Sequence, residues 1–160
     1  MNKPTKRIEQ KSQPKRDIKS DYRDENNQHK LDITKEIIDT IKGLKGGLKD
    51  YPIRDLVKHA QKFGPELKRQ RLETNQIRKF LDAINQLKAK LIGNDFSAIE
   101  TEVVLLKPKL AYAAARQDAV KALNGVMAEA IDKVHSKDDF ERLVQLMESI
   151  IAYHKAEGGK

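Results

Sequence analysis

The chain has 160 residues, enough for one domain, with 38% hydrophobic and 35% charged residues and no cysteine. Disulfides, thiolate metal sites and cysteine nucleophiles are thereby excluded. Thirty-two basic against 24 acidic residues leave a net charge of +8, which favours polyanions: nucleic acid, anionic lipid or an acidic protein.

The opening MNKPTKRIEQ is polar, which predicts no signal peptide. No stretch reaches the roughly 18 apolar residues of a membrane span. A cytoplasmic protein is the expectation. Residues 1–30 hold few large apolar side chains beyond Ile8, Ile18 and Tyr22, and are rich in Lys, Arg, Gln, Asn and Asp. Such a segment buries too little surface to offset its ordering entropy, so it reads as a disordered basic arm.

Residues 31–160 read as an all-α bundle of five to six helices. Ile33, Ile37, Ile41, Leu44 and Leu48 recur at helical spacing, with Asp32 as a cap and Gly46-Gly47 loosening the end. Tyr51-Pro52 opens a second helix with Ile53, Leu56, Val57, Ala60 and Phe63 inward, and Gly64-Pro65 is expected to stop it. A basic connector, Glu66 to Arg71, follows. Thr74 caps a third helix with Ile77, Phe80, Leu81, Ile84, Leu87 and Leu91 on its stripe, ended by Gly93-Asn94. A fourth begins near Phe96, and Pro108 is expected to kink or restart it. The fifth runs from about Asp118 to Val134. Ser136 with Asp139 resembles a capping box for the last helix, whose inward set is Phe140, Leu143, Val144, Met147, Ile150 and Ile151. No strand pattern persists.

Chemistry is sparse. His29, His59, His135 and His154 lack metal-ligand spacing, and no phosphate loop, nucleophile elbow or zinc-protease motif occurs. No metal, cofactor or small-molecule substrate is implied. Asp138-Asp139 at a helix start fits the macrodipole better than acid–base chemistry. Arg54 to His59 matches the R-x4-H pattern of HEPN ribonucleases, in which histidine and arginine act on a 2′-hydroxyl and its phosphate. The pattern constrains so few positions that His59 reads more simply as a surface residue.

The basic residues point to RNA. Lys68, Arg69 and Arg71 precede the third helix, and Arg78 and Lys79 lie in its first turns. Lys107 and Lys109 flank Pro108, where a helix break would let both project the same way; Arg116 and Lys121 follow. Guanidinium groups hold phosphate bidentately and lysines act as point charges. Tyr112 shares a face with Arg116 and reads as core rather than as a stacking platform. Few aromatics and no tryptophan favour contact with phosphate and sugar, hence sequence-independent binding. Helix-turn-helix DNA binding has one weak candidate, Thr74 to Lys79. A pure protein-interaction bundle is the remaining alternative.

Three blocks carry a family resemblance: Thr74 to Phe80 (TNQIRKF), Leu106 to Arg116 (LKPKLAYAAAR), and Phe140 to Val144 with Met147 to Lys155. In this order they resemble the small helical subunit of type III-A CRISPR effector (Csm) complexes. The resemblance spans residues 72–157; residues 1–71 contribute no matching block. It implies a non-catalytic subunit that stacks in repeated copies along the crRNA–target RNA duplex, beside other Csm subunits. It further implies phosphate contacts from Arg78, Lys79, Lys107, Lys109 and Arg116, with Tyr112 and Tyr153 supporting packing.

Overall fold

A computed structural model describes residues 33–158; the basic arm and the Asp32 cap lie outside them. Among the described residues every regular element is helical. They are α1 (33–42), α2 (Ile53–Arg69), α3 (Thr74–Leu91), α4 (Glu100–Arg116), α5 (Lys121–Asp132) and α6 (Lys137–Ala156), with single 3-10 turns before α2, α4 and α5. No helix among them is long and apolar enough to cross a membrane.

One continuous core joins the helices. α1 buries Ile33, Ile37 and Ile41, one residue per turn. α2 and α6 form the most extensive pair, α3 leans on α6, and α4 lies against α5. α1 reaches α5, where Ile38 approaches Gly125 and Lys42 pairs with Glu129 at 3.8 Å.

The loop after α1 is tied to the corner between α5 and α6. Leu48 N–H donates to the Lys133 carbonyl at 2.9 Å, and Lys133 Nζ donates to the Leu44 carbonyl at 2.8 Å. Asp139, only 2% exposed, accepts from Lys49 N–H at 2.8 Å and His135 N–H at 3.0 Å. Gly47 makes this approach possible. Its φ of 115° suits glycine, and a Cβ there would meet the Asp139 carboxylate at 2.5 Å. Ser136 Oγ accepts from Asp139 N–H at 3.2 Å, the N-cap expected from sequence. Asp139 thus joins two loops, beyond the dipole role that sequence suggests.

Several sequence expectations fail, among them the first helix, which ends at residue 42 before Leu44 and Leu48. α2 does not stop at Gly64-Pro65 but runs on to Arg69. Gly64 is instead where α2 touches α6: a Cβ there would meet His154 N at 2.6 Å. The Leu67 packing beyond it keeps the chain helical through the proline. The basic connector is therefore largely the last turn of α2, and the chain reverses at Arg71, whose φ is 66°. Likewise α4 passes through Pro108 unbroken. An interior proline costs about 3 kcal/mol. Here the carbonyl it deprives belongs to Val104, an exposed residue, while buried Val103, Leu106, Leu110 and Ala114 hold the helix on both sides. Glu73 rather than Thr74 caps α3, its N–H donating to Gln76 Oε1 at 3.0 Å in a capping box. Ile53 and Val57, expected inward, are exposed.

Candidate nucleic-acid interface

Helical spacing decides which basic residues meet. On α3, Gln76, Lys79, Phe80 and Ala83 share one side; on α4, Leu106, Lys109, Leu110, Tyr112, Ala113 and Arg116 do. These two faces form a groove of about 430 Å³. Its floor is apolar, with Phe80, Leu106, Leu110 and Leu123. Its rim carries Lys79, Lys109 and Arg116, and among the described residues no carboxylate lines it.

Tyr112 stands on this rim and is 65% exposed. The sequence expectation that it packs in the core is wrong. It lies on the outer side of α4, beyond the buried stripe of Val103, Leu106 and Leu110. Arg116 sits over it, its guanidinium carbon 5.7 Å from the ring centroid and Nη1 3.4 Å from the hydroxyl. Tyr153, by contrast, packs against the core as expected.

The other basic candidates lie apart from the groove lining. Lys107 does not project with Lys109: two residues on a continuous helix differ by about 200°. Lys107 reaches α5 and pairs with Asp132 Oδ1 at 2.5 Å. Lys121 pairs with Asp118 at 2.9 Å. Arg69 neutralises the buried Glu66 at 3.0 Å, and Lys68 donates to the Glu157 carbonyl. Both lie in the last turn of α2, where positive charge also suits the helix dipole. Arg71 and Arg78 are exposed, and Arg78 does not line the groove beside its neighbour Lys79.

His59 is buried, not a surface residue. Tyr51 Oη lies 2.5 Å from its Nδ1, and Glu36 Oε1 lies 3.4 Å from its Nε2. Burial, reinforced by the nearby Asp55 and Glu36 carboxylates, pushes the Tyr51 phenol far above its usual range. The phenol therefore stays protonated within its hydrogen bond to Nδ1. His59 thus lies between Tyr51 and Glu36 and links α1 to α2 from a buried position. Arg54 is exposed, but the histidine it would need as a catalytic partner is in the interior. His154 is also fully buried, with Nε2 2.7 Å from the Leu72 carbonyl, and ties the end of α6 to the turn after α2. Helical spacing places both inward, His59 three residues after Leu56 and four before Phe63, His154 four after Ile150, but their polar residue type masks that signal. Among the described residues no three potential ligands gather as a metal site.

A family model described as Csm2 Type III-A matches residues 50–160. It takes in α2, upstream of the three blocks that carry the resemblance. A curated relative from Streptococcus thermophilus, named CRISPR system Cms protein Csm2, is 32% identical over 91 residues, covering 56% of this chain and 75% of its own length. No solved structure matches. With the family match extending over well more than half of its length, the chain belongs to the type III-A Csm2 family.

Proposed function

We propose that this Csm2-family subunit of a type III-A CRISPR complex holds RNA by its sugar–phosphate backbone in the groove between α3 and α4, and does no chemistry on it. One observation carries the reading: Lys79, Lys109 and Arg116 converge on one cleft that no carboxylate of the described residues lines. On a chain with 24 acidic residues, such a cleft is a local concentration of positive potential. Cations placed on phosphates release counterions, so affinity falls as salt rises. Arg78, beside Lys79, extends the basic surface of α3. Lys68, Arg69, Arg71, Lys107 and Lys121 contribute less, most of them already engaged within the protein.

The proposed ligands are crRNA and its target, contacted without regard to sequence. The subunit stacks in repeated copies beside other Csm subunits, so that avidity supplements weak single-copy binding. Val104 and Leu105, large, apolar and exposed near the start of α4, support such a protein contact.

The test is a complex reconstituted with the triple variant Lys79→Glu, Lys109→Glu and Arg116→Glu. RNA retention at moderate salt should fall at least tenfold while helicity and subunit assembly persist. Retention equal to that of the unmodified complex would leave the chain a protein-interaction bundle.

A further inference from the structure

The groove has features that phosphate binding does not require. A phosphate track needs cations, not an apolar floor of Phe80, Leu106 and Leu110, and not an exposed ring. Tyr112 is the only aromatic residue among those described that is mostly exposed. It lines the same cleft as Lys79 and Lys109, under the guanidinium of Arg116. An aromatic face, a planar cation and an apolar recess ringed by positive charge suit a flat heterocycle attached to a phosphate. The groove's roughly 430 Å³ falls within the range of small-ligand clefts.

From this we infer that the α3–α4 groove takes a single unpaired RNA base, stacked on Tyr112, while Lys79 and Lys109 hold its flanking phosphates. This rests on the backbone-binding reading above and adds a base to it. Stacking is tolerant of base identity, so binding remains sequence-independent. It would nevertheless distinguish a bulged or single-stranded nucleotide from one locked in a duplex. An apolar side chain of a neighbouring protein could use the floor, but the all-positive rim favours an anionic occupant.

The experiment uses the full chain and three RNA duplexes of equal length. One is fully paired, one carries a single bulged 2-aminopurine, and one carries an abasic residue at the bulge. The bulged base should improve affinity roughly fivefold or more over the abasic bulge, the lower end of base–aromatic stacking effects. Binding should also quench the 2-aminopurine. Tyr112→Ala should remove both effects and Tyr112→Phe should keep them. The alanine variant and the abasic RNA should not add, since each removes one side of the same stack. Equal salt-sensitive affinity for base and abasic bulges would overturn base capture and leave phosphate binding standing. No affinity for any of the three RNAs, even at low salt, would overturn both.

Discussion

Two grooves flank α3, one facing α4 and the other facing α6, and each encloses about 430 Å³. Both have apolar floors. The α3–α4 groove has Lys79, Lys109 and Arg116 without an acid, whereas the α3–α6 groove sets Lys88 and Lys137 against Glu141 and Glu148. Size and apolarity are thus common to both, and only the charge pattern separates them. In the mixed groove each lysine has carboxylates nearby to offset its field; in the other the three cations reinforce one another. A net charge of +8 says that the chain is basic, but the distribution says where a polyanion would sit.

The largest expected effect tests whether distribution or total charge matters. Lys88→Glu with Lys137→Glu should leave RNA affinity within about threefold at physiological salt, where exposed charges are screened beyond about 8 Å. The opposite exchange, Glu141→Lys with Glu148→Lys, should make the mixed groove uniformly basic and raise affinity on the order of tenfold. Titration of RNA over a salt series measures both. A loss from the first pair as large as that from reversing Lys79, Lys109 and Arg116 would break the comparison, because bulk charge alone would then account for binding.

The second expectation concerns stability. Asp139 fixes the start of α6, the wall of the mixed groove, through backbone N–H groups of Lys49 and His135. Asp139→Ala removes a buried charged acceptor and leaves those donors unmet. A loss of about 3 kcal/mol follows, since hydrogen bonds to charged groups contribute about 1.5–3 kcal/mol each. Urea unfolding should show it as a lower midpoint, with RNA affinity of the folded fraction unchanged. A loss under about 1 kcal/mol would mean that the joint is held by apolar packing instead.

How far the sequence reveals these features depends on which force sets them. Helix existence is legible because burial imposes a period: Ile33, Ile37 and Ile41 announce α1, and Phe140, Leu143 and Val144 announce α6. The family is legible because residue order survives in blocks. Helix continuity through Gly64-Pro65 and across Pro108 is not, because packing outweighs local propensity there. A glycine that reads as a stop is an interhelical contact, and a proline on an exposed face costs less than the buried stripe around it contributes. The groove is half legible. Lys79, Lys109 and Arg116 stand out in the sequence, but so do cations that the fold places elsewhere. Which of them converge depends on α3 and α4 being unbroken and adjacent, a tertiary fact. Tyr112 misleads for a related reason: α4 is apolar on both its buried and its outer side, so periodicity alone does not choose between them.

The smallest expected effect separates Lys107 from Lys109, two lysines that look equivalent around Pro108. Lys107 lies against Asp132, with side chains 35% and 53% exposed. Pairs this open contribute about 0.2–1 kcal/mol, so Lys107→Ala should lower stability by no more than that. It should change RNA affinity less than twofold, because its charge is directed at α5 and already offset. Lys109→Ala should leave stability unaltered and should cost more affinity. Its salt slope should be shallower by roughly 0.9, the value for one neutralised phosphate on a duplex. Equal slopes for the two variants would mean that Lys107 leaves Asp132 to reach RNA. The basic surface would then extend around α4 rather than stop at the groove.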